Sequence, residues 1–384
     1  MTHHSIVFAQ LLKLLPRHEF QTAAQRHHLG RKLRSISRWN QVLALMVTQL
    51  AGRVSLRDLV SNFNAQSRKL YHLGARRIAR SSLARVNERQ PAELFEEIFH
   101  QLLSRTQTVA PGHRFRFKKR LISLDASIIN LTASVFPWAI YQAKKGAIKL
   151  HVGLDHEGHL PAFVSITEGR QHEIHWARAL NLPAGSVVVF DRGFFDYELF
   201  NRLNQKGIRF VTRMKRDVPF QVIQRKKVCR AKGLTSDQII RLKGANAERY
   251  GLQLRRVRYR DPETGKHYVF LTNDLDLAAS TIAQVYRDRW QIELFFKWIK
   301  QNLKIKSFLG RPRNAILSQI WVALIAYLLL AYLKFLGRTG WSLSQLLRLL
   351  QLNLFERRSL AGLLKPPDQP PDRQSAQLTL EIGA

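Results

Sequence analysis

Ser186-Val-Val-Val-Phe190 is an unbroken apolar run, and the turn-like Asp191-Arg-Gly-Phe-Phe195 stops it. A strand without polar alternation is buried on both faces, so it needs neighbours in a sheet and helices above and below. The flanking sequence supplies both. Leu121-Ile-Ser-Leu-Asp125, Ala147–Asp155 and Leu160–Thr167 read as strands, with Ile148, Leu150, Val152 and Leu154 on one face of the second. The short link Asp155-His-Glu-Gly-His159 suits a hairpin, so these three are expected as antiparallel neighbours. A helix over about His172–Leu180 precedes the buried strand. A helix over Asp196–Lys206, stopped by Gly207, and a strand Ile208–Thr212 follow it. The fold class expected is α/β (α+β), a mixed sheet with flanking helices.

On either side the periodicity changes. Before residue 111 it is helical, as in Ile6–Leu15 and Gln41–Leu50. Ser55-Leu-Arg-Asp58 resembles an N-cap with an acid three residues later, and Ser81 is expected to cap a helix running to Glu88. Between Gly52 and Gln90, Arg53, Arg57, Arg68, Lys69, Arg76, Arg77, Arg80, Arg85 and Arg89 face only Asp58 and Glu88. Clustered arginines on helices suit a module that grips phosphates, and they equally suit a solvated basic face. Between Arg216 and Asp274, Leu252–Tyr259 and Tyr268–Leu271 read as strands joined by the turn Asp261-Pro-Glu-Thr-Gly265. One long helix is expected from Ala278 to Leu303. Apolar segments Asn314–Leu336 and Leu343–Phe355 follow, then a proline-rich tail from Lys365 that is expected to be disordered. The domains expected are a helical segment 1–115, a mixed-sheet domain formed by 116–215 and 276–340, a β-rich insertion 216–275, and a C-terminal helix and tail 341–384.

Charge narrows the partner. Lys and Arg number 62 against 27 Asp and Glu, a formal net charge of +35. Solubility needs only about 2–8 for a small domain, so a polyanion is implied, and nucleic acid is the main candidate. A membrane surface is the weaker candidate, because Met1–Gln10 has no signal-peptide pattern and no lipidation motif is present. Ile320–Leu333 is apolar throughout but has 14 residues, short of the ~20 a membrane span needs, and reads as a buried helix. The single cysteine, Cys229, excludes an internal disulfide and a cysteine-based zinc site and fits a reducing, bacterial cytoplasm. The histidines match no zinc signature.

Chemistry concentrates on the long helix. Tyr286, Arg289, Glu293 and Lys300 are spaced 3, 4 and 7 apart, so they fall on one stripe beside the apolar stripe Val285, Ile292, Phe296, Ile299 and Leu303. Taken alone, Arg289 and Glu293 read as an ordinary i,i+4 ion pair. Asp125 and Asp191, however, each end a strand that is apolar up to that point, where a charge is unfavourable unless paired or metal-bound. The expected topology makes those strands neighbours and lets the helix bring Glu293 to the same end of the sheet. Divalent cations with a preference for oxygen would relieve the repulsion among three such carboxylates.

Tyr286-x2-Arg289-x3-Glu293-x6-Lys300 resembles the YREK signature of DDE transposases of the insertion-sequence family numbered four. Leu124-Asp-Ala-Ser127 and Phe190-Asp-Arg-Gly-Phe194 resemble that family's first and second carboxylate motifs, and the strand–helix order is similar to the ribonuclease H-like pattern. The resemblance covers about Leu121–Arg311, and the helical start from Val7 to Asp58 is similar to segments fused to such enzymes. It implies a β insertion before the last carboxylate. Glu293 lies 102 residues beyond Asp191, against 66 between Asp125 and Asp191, which accommodates one.

The resemblance further implies two Mg²⁺ ions, with Mn²⁺ substituting. Asp125 would be shared between them, with Asp191 on one and Glu293 on the other. Tyr286, Arg289 and Lys300 would hold phosphates. In-line attacks would nick the element end, release it (through a hairpin in related enzymes) and join it to target DNA. The partners implied are double-stranded DNA (terminal inverted repeats and target) and a second copy of the chain in a synaptic homodimer. Trp290 would stack on a flipped base or, alternatively, pack in the core. Some relatives use a second tryptophan in the insertion. None stands between Val187 and Asp288 here, leaving Tyr250, Tyr259 or Phe270 as substitutes. His172 and Glu173 follow Gly169 in a pattern the family shows, and a helix cap is the expected role, with a place near the metals as the alternative. Two other functions share these residues: a ribonuclease H-like nuclease that does not transpose, and a catalytically silent DNA-binding derivative. An RNA-binding protein would explain the charge but not the signature.

Overall fold

The computed structural model describes residues 5–132, 136, 138, 140–142, 145–248, 250–338 and 340–365. The proline-rich tail beyond 365 lies outside them. Two compact units result, one of Pro111–Gln301 and one combining Met1–Ala110 with Asn302–Ala384.

The first unit is built on one sheet. Its strands are β1 (Leu121–Thr132), β2 (Ile140–Gln142), β3 (Lys145–Asp155), β4 (Leu160–Glu168), β5 (Val187–Phe190), β6 (Arg209–Arg213), β7 (Phe220–Arg225), β8 (Leu234–Leu242), β9 (Gln253–Arg260) and β10 (His267–Thr272). β1 and β4 flank β3 antiparallel, while β1, β5 and β6 run parallel. The order β4-β3-β1-β5-β6 is the ribonuclease H-like arrangement.

β10 then joins β6 antiparallel, and β9, β8 and β7 continue as a meander. The β-rich insertion expected at 216–275 therefore extends the sheet instead of forming a body of its own. Backbone groups at the β6 edge need partners, and β10 supplies them.

The alternation within β1 and β5 assigns the faces. Ile122, Leu124, Val188 and Phe190 pack with Leu199, Phe200 and Leu203 of the helix Tyr197–Gln205. Leu121, Val187 and Val189 pack on the opposite face with Ile282, Val285 and Tyr286 of the helix Ala279–Asp288. The run 187–190 is thus covered on both sides, as its composition requires.

β7 and β8 were not foreseen. Asp237 and Gln238 interrupt the apolar pattern of β8, yet both are buried. Arg255 of β9 offsets the charge with two parallel bonds to Asp237, Nε–Oδ1 at 2.8 Å and Nη2–Oδ2 at 2.7 Å. The same guanidinium donates to the carbonyls of Leu275 and Leu277, at 3.2 and 2.5 Å, just ahead of the helix Ala279–Asp288.

The expected helix 278–303 is divided into Ala279–Asp288 and Trp290–Asn302, with Arg289 at the joint. Arg289 keeps right-handed helical angles, φ −49° and ψ −30°. Its N–H is shared between the Val285 and Tyr286 carbonyls at 3.3 and 3.2 Å, a local tightening characteristic of 3₁₀ geometry.

In the second unit the helix Arg313–Gly337 packs against Glu93–Val109, Arg38–Leu50, Arg80–Arg89 and Leu343–Asn353. By its contacts, 302–340 groups with the N-terminal helices. A helix apolar on all sides must be surrounded, and the amphipathic N-terminal helices supply the cover. It is long and apolar enough to cross a membrane by length and composition, but 89% of its most apolar window is buried in this unit. Ser55 caps the helix Leu56–Ala65, accepting from the Asp58 N–H at 3.1 Å. Ser81 caps nothing: the helix Arg80–Arg89 starts before it, from Ala79.

Gly233, at φ +74°, opens β8, and a Cβ there would lie 2.5 Å from the Arg260 carbonyl oxygen. Gly207 has φ +65° with nothing within 4 Å of such a Cβ. Gly233→Ala is expected to cost roughly 2–4 kcal/mol in chemical denaturation, against about 1 kcal/mol for Gly207→Ala, because only the former adds a backbone clash to the left-handed strain. Equal losses would contradict the register of β8 on β9.

Candidate active site

Leu124 of β1 pairs with Phe190 of β5, so the next residues are Asp125, inside a strand that continues to Thr132 and does not end there as expected, and Asp191, just past the end of β5. Alternation from Leu121 to Asp125 and from Val187 to Asp191 aims both carboxylates at the face covered by the helix Ala279–Asp288. The continuation of that helix, Trp290–Asn302, carries Glu293.

Arg289 links these groups. Its Nη2 bonds Glu293 Oε1 at 2.5 Å and its Nη1 lies 3.9 Å from Asp125 Oδ2. The guanidinium carbon is 5.6 Å from the Tyr286 ring centroid, and the Tyr286 hydroxyl donates to Asp191 Oδ1 at 3.5 Å. One arginine and one tyrosine thus connect the three carboxylates. Among the described residues, no three acidic, histidine or cysteine side chains stand close enough to hold a metal ion as arranged. Arg289 lies between two of the carboxylates and offsets their charge.

Burial pushes the Asp125 carboxyl up to about 6, and Glu173 and Glu293 act in the same direction, against the Ala126 N–H and Arg289. Burial likewise raises the Tyr286 phenol above its ordinary value. Asp125 therefore keeps its proton in the fold between about pH 4 and 6, where the unfolded chain has lost it, so its contribution to stability falls across that window. Asp125→Asn is expected to raise the stability of the metal-free protein by roughly 1–3 kcal/mol at pH 8, with the gain vanishing toward pH 4. Thermal melts in chelator at the two pH values measure this, and a gain independent of pH would contradict it.

The donor set suits a hard divalent ion. It consists of carboxylate oxygens, one of them on a desolvated group that lacks full compensation. The other signature residues divide. Lys300 reaches the β1 backbone, its Nζ 2.9 Å from the Ile128 carbonyl, three residues past Asp125. Trp290 is 56% exposed, which removes the core-packing alternative.

Trp290, Arg289, Tyr286 and Asp191 line a cleft of about 680 Å³ that Tyr259, Tyr268 and Phe270 also line. Tyr250, the third substitute considered, is not among its lining residues. Tyr268 and Phe270 stack with centroids 6.0 Å apart, and the Arg213 guanidinium lies 5.3 Å over Tyr268. Arg213 and Tyr268, near strand ends, and Arg287, in the last turn of the helix Ala279–Asp288, escaped sequence reading, since single residues there leave no periodic signal. His172 caps the helix Glu173–Ala179 through Nδ1, which accepts from the Ile174 N–H at 3.3 Å. Glu173 pairs with Lys149 at 3.3 Å.

A ribonuclease H-like sheet with acidic residues at matched register on adjoining parallel strands, and a third on the helix that continues the covering one, defines the class of nucleic-acid-processing proteins built on that core. Residues 116–329 match the transposase DDE domain, and residues 3–76 match a domain of unknown function, DUF4372. A putative transposase, y4zB, of Sinorhizobium fredii is 32% identical over 76% of this chain and 82% of its own length. A probable transposase for insertion sequence element IS5377 of Geobacillus stearothermophilus is 30% identical over 68% of each chain. A putative transposase for insertion sequence element IS4SA of Synechocystis is 24% identical over 74% of this chain and 80% of its own. The chain belongs to the DDE transposase family and is a DNA transposase. The insertion-sequence family numbered four fits these relatives.

Proposed function

We propose that this transposase moves an insertion sequence by cut-and-paste transposition, with Asp125, Asp191 and Glu293 holding two Mg²⁺ ions and Mn²⁺ able to substitute. The observation that carries the proposal is that Asp125 and Asp191, at matched register on β1 and just past β5, face the helix Ala279–Asp288, while Arg289 at the end of that helix reaches both Asp125 and Glu293. Asp125 would be the shared ligand, as the family resemblance implies, with Asp191 and Glu293 each completing one site. When bound there, divalent ions supply activation of a water or DNA 3′-hydroxyl and stabilisation of the leaving oxygen.

The surrounding residues hold the DNA. Tyr286, Arg289 and Lys300 would contact phosphates of the terminal nucleotides, Arg289 through the fork geometry that suits phosphate oxygens. Trp290 would stack on a base turned out of the duplex, with Tyr259 and Phe270 in the place of the missing second tryptophan. The arginine-rich helices within 1–115 would grip duplex phosphates, and two copies of the chain would bring two inverted repeats together.

Incubating the purified chain with Mg²⁺, a duplex ending in the DNA that flanks its reading frame, and a second plasmid tests this. Nicking, release and joining are expected. Cleavage without joining would indicate the nuclease alternative, and binding without cleavage the silent derivative.

A further inference from the structure

We infer that Arg289 is the resident counter-cation of the metal-free site and competes with divalent metal for Asp125 and Glu293. The inference rests on the proposed metal site and adds a condition for its loading.

The Arg289 side chain is 11% exposed. A guanidinium has five N–H donors and, when buried, needs most of them satisfied. Nη2 donates to Glu293 at 2.5 Å. Nη1 faces Asp125 at 3.9 Å, an ion-pair distance too long for a hydrogen bond. Nε is buried and has no partner. The guanidinium therefore neutralises two carboxylates while being poorly held by them.

A cation bound to Asp125 and Glu293 and a guanidinium between them occupy the same electrostatic position. Like charges so close repel, so each lowers the occupancy of the other. A phosphate offers Arg289 what its resting position lacks, a pair of oxygens matched to its fork. DNA phosphate at the cleft would draw Arg289 off the carboxylates and free them for metal. Metal loading would then follow DNA binding, and the free protein would be weakly loaded.

Mn²⁺ titration of the full chain without DNA, followed by electron paramagnetic resonance of the free ion, tests this apart from activity. Arg289→Ala and Arg289→Gln are expected to bind Mn²⁺ about tenfold or more tightly than wild type, a change of at least one factor of ten in the dissociation constant. The glutamine variant, which keeps a hydrogen-bond donor for Glu293, guards against loss of fold, and melts of each variant verify it. Adding Asp125→Ala to either variant should abolish the gain. Folded Arg289 variants that bind no tighter than wild type would overturn the competition. If Asp125→Ala alone still removed wild-type binding in that case, the proposed metal site would stand. A gain that survives Asp125→Ala would place the ion elsewhere and overturn both.

Discussion

Alanine in place of Asp125, Asp191 or Glu293 is expected to lower strand cleavage by about 10³-fold or more while leaving DNA affinity nearly unchanged, because in the proposed site each removal would take away a ligand to the reacting centre and no phosphate contact. The geometry makes the three losses similar and non-additive. Asp125 and Asp191 follow a matched pair on adjacent strands, and Glu293 shares Arg289 with Asp125. A double substitution should therefore be scarcely worse than a single one, as for residues acting as a unit. Single-turnover cleavage of an end-bearing duplex, with affinity measured in parallel, checks this. Wild-type cleavage in any one variant would remove that residue from the metal site.

Asp237→Ala is the largest stability effect expected, a loss of about 3–5 kcal/mol, because it strands the Arg255 charge in the interior. Side chains of Asp237 and Arg255 are only 4% and 5% exposed, so water cannot compensate. Arg255 also holds the Leu275 and Leu277 carbonyls ahead of the helix Ala279–Asp288, so the loss should reach the site through that anchor. Replacing both partners by apolar residues, Asp237→Leu with Arg255→Met, should recover much of the stability while cleavage remains impaired. Urea denaturation and cleavage on the same three proteins would show it. Full recovery of cleavage in the double variant would mean that the carbonyl anchor does not position the helix.

These two expectations draw on different kinds of information. The strands around Asp125 and Asp191 were legible because residues buried on one or both faces leave period-two or continuous apolar patterns, as in Val187–Phe190. The 3-4-7 spacing of Tyr286, Arg289, Glu293 and Lys300 likewise fixed a common helix side. β8 was hidden because Asp237 and Gln238 sit where an apolar residue would be read, and only a cross-strand partner explains them. Arg289 was legible as a neighbour of Glu293, but sequence spacing cannot reveal a contact with Asp125, far away in the chain. The helix Arg313–Gly337 read as buried, yet a helix apolar on every side carries no signal of which unit surrounds it. The aromatic wall of the cleft was legible only as single candidates, Tyr259 and Phe270, and Tyr268 joins them through the pairing of β9 and β10.

Anomalous scattering from Mn²⁺ in crystals of the protein bound to an end-bearing duplex bears most directly on the proposed metal site. Two peaks are predicted, both within coordination distance of Asp125, one also contacting Asp191 and the other Glu293, with the Arg289 guanidinium turned to a phosphate. Peaks remote from Asp125, or a complex in which Glu293 stays bound to Arg289 while DNA is cut, would contradict the account.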